Sequence, residues 1–306
     1  MRSDRMDLQG DALTDAVVAS FDGSKDERTK TVMSALVRHL HAFAREVNLT
    51  EAEYFTGIDF LTRTGQISTE TRQEFVLLAD VLGLSMLTVG LGNPSTSGAT
   101  ESTVFGPFFV EGSPGVELGA DIANGAPGQP CLVSGRVLTT KGEPIAGALV
   151  ETWQADEDGF YDVQKETDGP QNRAHLTTDA DGNYSFWAVK PVAYPIPDDG
   201  PVGELLRAGG RGPMRPAHIH FMVTAPGYAR LITHVFAQGD QYLESDAVFG
   251  VKDSLIAEFT EHPAGTTAPD GSTAPDGSTA PDGKTPDKPY YSVSYDLVLA
   301  SEETQQ

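Results

Sequence analysis

The chain reads as an α+β protein, mainly β: an N-terminal helical region followed by a β-sandwich. Three observations carry that reading. Between Glu27 and Met86 the apolar residues recur at helical spacing. From Cys131 onward, short runs rich in β-branched and aromatic residues alternate with Gly, Asp, Asn and Pro turns, the grammar of a β-sandwich. Between the two regimes stands Gly92-Asn93-Pro94, a strong breaker, so the chain is expected to divide into a helical region, 1–94, and a sandwich, 95–306.

Residues 1–24 are polar and expected to be loosely ordered. Val32, Leu36, Leu40 and Phe43 then predict a helix from Glu27 to Val47. Thr50-Glu51-Ala52-Glu53 has the form of a capping box, a hydroxyl at the N-cap and a carboxylate three residues on, and opens a second helix through Tyr54, Ile58 and Leu61. A third is expected to start at Ser68-Thr69-Glu70-Thr71 and to carry Phe75, Leu78, Leu82 and Met86. Its apolar run from Val81 to Leu91 is wide for a surface helix and calls for a cover, from another element or another chain. Residues 95–130, rich in Gly, Ser and Pro, read as an extended segment holding Val104-Phe105-Gly106-Pro107-Phe108-Phe109. Strands are expected over 132–138, 148–154, 184–187, 218–224, 231–236 and 291–299. Within 264–289, Thr267-Ala268-Pro269-Asp270-Gly271-Ser272 recurs at Thr273 and again, ending in Lys284, at Thr279. With no apolar side chain larger than Ala, that stretch is expected to be a flexible surface insertion without chemistry.

Charge and cysteine content narrow the function. There are 44 acidic against 21 basic residues, a formal charge of −23, which argues against nucleic acid or an anionic membrane as partner. A single cysteine, Cys131, excludes an intramolecular disulfide framework and cysteine-rich metal sites. No apolar run reaches membrane-spanning length, and the expected location is the cytoplasm.

The chemistry centres on Arg215-Pro216-Ala217-His218-Ile219-His220-Phe221. On a strand, side chains two apart share a face, so His218 and His220 project together and form half of a metal site. Tyr161 stands after Asp158-Gly159-Phe160, and Tyr194 sits between Ala193 and Pro195 in a proline-fixed loop. Each tyrosine alone would ordinarily be a packed aromatic; with the two histidines they make a two-oxygen, two-nitrogen set. A phenol loses its proton near pH 10 in water, and a strongly Lewis-acidic cation lowers that toward neutrality. Hard phenolate oxygens match a hard trivalent ion, iron(III) ahead of zinc or copper.

With those residues in place, the chain resembles the intradiol ring-cleavage dioxygenases, non-haem iron(III) enzymes, from the helical region through about Leu255. The resemblance implies a transthyretin-like sandwich as catalytic domain. It also implies a homodimer through the N-terminal helices, with a lipid held at that interface. It implies Tyr161, Tyr194, His218 and His220 as iron ligands, Tyr194 being the one that leaves the metal and takes a substrate proton. Arg215 would stabilise negative charge developing on the ring. Phe105-Gly106-Pro107-Phe108, His234 and Ser245-Asp246-Ala247-Val248-Phe249-Gly250 are most similar to the hydroxyquinol-cleaving branch, with the chlorocatechol and catechol branches as alternatives. The substrates implied are benzene-1,2,4-triol and O2, and the product 3-hydroxy-cis,cis-muconate, the enol form of maleylacetate. Leu77, Asp80, Val104, Phe105, Gly106, Pro107, Phe108, Ile196, Pro197, Arg215 and Val248 would line the pocket, Asp80 accepting a hydrogen bond from the third hydroxyl. The alternative outside enzymology is a metal-free binding module on the same sandwich, since fold alone does not specify activity.

Overall fold

Helix signals at the start of the chain hold with one addition and one break. The computed structural model describes residues 8–69, 72–93, 98–269 and 288–302. By internal contacts the chain divides into two units, Met1–Arg63 and Thr64–Gln306. The smaller unit contains α1 (Gly10–Ala19), α2 (Glu27–Glu46) and most of α3 (Glu51–Ile67). Helix α1 was not expected in the polar N-terminal stretch. Its buried Thr14 is what fixes it, with Oγ1 2.9 Å from His41 Nδ1 and 3.1 Å from Arg45 Nη1 on α2. Asp26 caps α2 by accepting from the Thr29 amide. The capping box of α3 forms as read: the Thr50 amide donates to Glu53 Oε2 at 2.9 Å, and the Glu53 amide donates back to Thr50 Oγ1 at 3.3 Å. Val32, Leu36, Leu40 and Phe43 of α2 lie exposed, as do Tyr54, Phe55 and Ile58 of α3.

In the larger unit, the expected third helix is two: α4 (Glu74–Val81) and α5 (Leu84–Gly92). Gly83 between them has φ +73°, a left-handed conformation that ends α4, and the two axes bend by 79°. The apolar period runs on through the glycine, which is why the sequence reads as one helix. Leu77, Asp80 and Val81 are buried, whereas Leu82, Leu84, Leu87 and Leu91 are exposed. Among the described residues no single helix is long and apolar enough to cross a membrane; α4 and α5 meet that test only as a bent pair.

Thirteen strands and one further α-helix follow among the described residues, besides three short 3-10 turns: β1 (Ala120–Asp121), β2 (Pro130–Thr139), β3 (Leu149–Trp153), β4 (Arg173–Thr177), β5 (Asn183–Val189), β6 (Tyr194–Pro195), α6 (Pro201–Ala208), β7 (Met214–Arg215), β8 (His218–Thr224), β9 (Leu231–Ala237), β10 (Ile256–Ala257), β11 (Thr260–His262), β12 (Tyr290–Ser294) and β13 (Leu297–Leu299). One sheet has the order β1-β5-β2-β12-β11, with β13 also on β2; the other runs β10-β9-β8-β3-β4; β6 and β7 form a separate ribbon. The sheets meet through Val133, Val137, Tyr184 and Phe186 on one side and Val150, Leu176, Ile219, Phe221 and Val223 on the other, the dry core of a β-sandwich. The expected last strand divides into β12 and β13 because the chain crosses Gly135 there. A Cβ on Gly135 would stand 1.9 Å from the Tyr295 carbonyl oxygen, so only glycine fits.

Residues 270–287 of the repeat lie outside the described residues. The first copy is anchored at its start: Ala268 packs with Leu132, Trp187 and Tyr290, and Tyr290 donates to the Thr267 carbonyl at 3.2 Å.

Candidate metal centre and substrate cavities

Strand β8 decides the site. Ile219, Phe221 and Val223 enter the sandwich core, so His218 and His220 point to the outer face of the five-stranded sheet. Loops close over that face and bury both imidazoles. Tyr161 arrives from the loop after β3 and Tyr194 from β6. The four polar atoms converge. Tyr161 Oη is 2.9 Å from Tyr194 Oη and 2.9 Å from His220 Nε2. Tyr194 Oη is 3.4 Å from His218 Nε2, and the two Nε2 atoms are 3.2 Å apart. Donors on one ion with bonds of about 2.0–2.1 Å, at angles near 90–110°, stand about 2.9–3.4 Å from one another. The separations therefore suit a shared cation, and the donors' chemistry, two phenols and two imidazoles, suits a hard one.

Each donor is held. His218 Nδ1–H donates to the Pro216 carbonyl at 2.7 Å, leaving the Nε2 lone pair facing the cluster. The His220 ring stacks on Trp153, its cross-strand neighbour, at 4.7 Å between centroids. Gly106, with φ +77°, passes so close to His220 that a Cβ would be 3.2 Å from Cε1. Phe108 stacks on the Tyr161 ring at 4.5 Å. The loop before Tyr161 is fixed by Asp156, which accepts from the amides of Asp158 and Phe160 and from Lys165 Nζ. Tyr194 pairs with Arg215 across β6 and β7. Gly159, at φ +84°, approaches Tyr194 to a distance where a Cβ would be 2.7 Å from Tyr194 Cβ.

Electrostatics follow from burial and from two cations, Arg215 at every donor and Arg173 at Tyr161 and His220. Burial, and then the Arg215 guanidinium, push His218 down to about 3. Burial and the neighbouring imidazoles and Arg215 hold His220 and His234 well below the ordinary histidine range. Burial raises both phenols; Arg215 works against it at each. Arg215 is itself buried, with Nη1 3.1 Å from His218 Nε2 and Nε 3.1 Å from Asp246 Oδ1. Asp246 is buried beside it and also accepts from the Gly250 amide at 2.8 Å. Its carboxyl stays low, because Arg215 and these hydrogen bonds overcome desolvation. Asp246 lies in the string Ser245–Gly250, but nothing in its local pattern marks it as the partner of Arg215.

A second donor set overlaps the first. His218, His220 and His234 bring ring nitrogens within 4.8 Å of one another. His234 opposes His220 on β9, its Nδ1 is 2.6 Å from Thr103 Oγ1, and its Nε2 is buried without a hydrogen-bond partner.

The expected lining residues gather around two cavities. Leu77, Pro107, Phe108, Ile196 and Pro197 line one of about 550 Å³, together with Gly159 and Phe160. Asp80, Val104, Phe105, Gly106 and Pro107 line another of about 640 Å³. Pro107 borders both, and Leu77 and Asp80 lie one turn apart on α4. Arg215 and Val248 line neither: Arg215 is held back on Asp246 and His218, and Val248 is buried with Leu77, Val104 and Ile196 in one apolar cluster. Phe105 is partly exposed and packs edge-on against Trp153. Burial raises the Asp80 carboxyl, while a hydrogen bond from Ser85 and the charge of Arg215 lower it.

Residues 104–301 match the family described as Dioxygenase, and residues 26–100 match Catechol dioxygenase N terminus. The hydroxyquinol 1,2-dioxygenase of Nocardioides simplex is 55% identical over 288 residues, 94% of each chain. The 6-chlorohydroxyquinol 1,2-dioxygenase of Cupriavidus pinatubonensis is 60% identical over 255 residues, 83% of this chain and 92% of that one. Among solved structures, hydroxyquinol 1,2-dioxygenase from Pseudomonas putida DLL-E4 superposes with a TM-score of 0.84 at 44% identity, over 95% of this chain and 98% of that one. Together with the sandwich and the buried donor cluster, these matches mean that the chain belongs to the intradiol ring-cleavage dioxygenase family.

Proposed function

We propose that this enzyme holds iron(III) through Tyr161, Tyr194, His218 and His220 and cleaves hydroxyquinol between its two adjacent hydroxyls, with O2, to 3-hydroxy-cis,cis-muconate. The observation that carries the reading is the mutual approach of two phenol oxygens and two imidazole nitrogens to 2.9–3.4 Å in a buried cluster. Iron(III), when bound, supplies a Lewis acid that draws electron density from an ortho-diol and makes its ring reactive toward O2.

The chain's own residues do the rest. Tyr194 Oη, next to Tyr161 Oη and within reach of Arg215, would as a phenolate accept a proton from a substrate hydroxyl. Arg215, oriented by Asp246, presents a fixed positive charge to the anion that forms on the ring; its buried setting strengthens that interaction. Phe108, Leu77, Ile196 and Pro197 exclude water and hold an aromatic plane. Asp80 is the acceptor for the third hydroxyl, the group by which hydroxyquinol differs from catechol.

The relatives named for hydroxyquinol, at 55% and 44% identity, support that substrate. A second reading, a ring-chlorinated hydroxyquinol, is supported by the relative at 60%. Oxygen uptake by the iron-loaded protein with hydroxyquinol, 6-chlorohydroxyquinol and catechol separates them: the first or second must exceed catechol in kcat/KM. Catechol as the preferred substrate would overturn both.

The reading extends to assembly. The helical stretch to residue 94 serves dimerisation, with Val32, Leu36, Leu40 and Phe43 as the contact and a lipid tail held there, while residues 95–306 carry the catalytic sandwich. Leu77 and Asp80 nevertheless come from the helical stretch, which therefore also shapes the substrate site. A buried, unpaired Cys131 and a surplus of acidic residues fit a cytoplasmic enzyme with no nucleic-acid or membrane partner.

A further inference from the structure

One row of side chains crosses the outer face of the five-stranded sheet at a single level. Arg173 on β4 opposes Trp153 on β3, Trp153 opposes His220 on β8, and His220 opposes His234 on β9. Arg173, at the end of that row, is buried and takes no step in the reaction proposed above. Its guanidinium forks onto Asp162, with Nε 2.9 Å from Oδ2 and Nη2 2.6 Å from Oδ1. The same Nη2 donates to the Phe108 carbonyl at 2.8 Å. Asp162 directly follows Tyr161, and its carboxylate also accepts from the amides of Val163 and Gln171. Phe108 lies flat against the Tyr161 ring. Arg173 thus grips Tyr161 from two sides: through the backbone at Asp162 and through the ring at Phe108.

We propose that the Arg173–Asp162 pair is a positioning clamp that fixes Tyr161 in the donor set and ties the substrate-facing loop at Phe108 to the same point. The inference rests on the reading of Tyr161 as a ligand of iron(III). Net stability does not account for the pair well, because buried ion pairs are commonly replaceable by apolar residues of similar volume at no loss. Geometry does. Arg has a planar fork that reaches both carboxylate oxygens and a third acceptor at once, whereas Lys is a single-point donor.

The test uses the double variant Asp162→Leu/Arg173→Met, which leaves neither charge buried alone, and Arg173→Lys, which keeps the pair charged without the fork. Both are loaded with iron(III) beside the parent, with circular dichroism and Tm read on each. The visible tyrosinate-to-iron band should shift and weaken in both. Iron retention against a chelator should fall by about tenfold or more in the double variant, the scale on which loss of ligand-orienting partners acts. KM for hydroxyquinol should rise as the Phe108 wall loosens. A parent-like band with parent-like iron retention, in whichever of the two variants is folded, overturns the clamp. A Tyr161→Phe protein that keeps the parent's full band and full iron content overturns the ligand role of Tyr161 instead.

Discussion

In the proposed reading, Asp80 is the side chain that would separate two substrates. Catechol and hydroxyquinol offer the metal the same two oxygens, so only the third hydroxyl can distinguish them. A charge-assisted hydrogen bond to it is worth about 1.5–3 kcal/mol, or about one to two decades in rate preference. Asp80→Ala should lower kcat/KM for hydroxyquinol by that factor, leave catechol nearly unchanged and keep the iron colour. Equal losses on both substrates would make Asp80 structural. The histidines give a second prediction. In the metal-free protein His218 is neutral down to about 3 when folded, against 6.5 for an ordinary histidine. Between those values the unfolded chain takes up a proton that the folded chain refuses, so stability falls as pH falls through this window. His220 and His234 are shifted in the same direction. His234→Phe should therefore flatten the dependence of unfolding free energy on pH below 6.5 by about 1.4 kcal/mol per unit. An unchanged slope in urea titrations at stepped pH would contradict the buried neutral assignment.

At the scale of elements, loops rather than strands set the precision of the site. Gly159 has two reasons to be glycine: its φ of +84° and the 2.7 Å that a Cβ would leave to Tyr194. Gly159→Ala should cost about 1–3 kcal/mol for the backbone alone. It should also displace Tyr194, seen as a lower Tm together with a shifted visible band; a lower Tm with an unmoved band would limit Gly159 to folding. The same contrast explains what is legible in the sequence. His218 and His220 stand out because period-two alternation on β8 puts both on one face and Ile219 in the core. The capping box at Thr50 stands out because its partners are three residues apart. Arg173 and Asp246 leave no such mark, since each meets its partner, Asp162 or Arg215, only after the chain has turned back in space. The break at Gly83 is hidden by leucines on both sides that continue the helical period. Thr14, buried by a hydrogen bond rather than by apolar area, conceals α1 from a reading based on hydrophobic spacing.

For the whole molecule, the exposed stripe of α2 asks for a partner surface, which the proposed dimer would supply. Leu36→Glu combined with Leu40→Glu should convert a dimer to monomers in sedimentation velocity. The sandwich's near-ultraviolet dichroism should stay intact, since both side chains lie outside its core. A variant that sediments like the parent would remove α2 from the interface. One titration decides whether two phenolates and two imidazoles hold iron(III) and present it to an adjacent diol. The iron-loaded protein is titrated anaerobically with hydroxyquinol, its visible spectrum is followed, and oxygen is then admitted. A tyrosinate band should be present at rest in both parent and Asp80→Ala protein and much reduced in Tyr161→Phe. A new substrate-dependent band should form in the parent without oxygen and decay to the ring-opened acid once oxygen enters. A Tyr161→Phe protein with full colour and full iron content would overturn this binding mode, as would a parent spectrum that hydroxyquinol leaves unchanged.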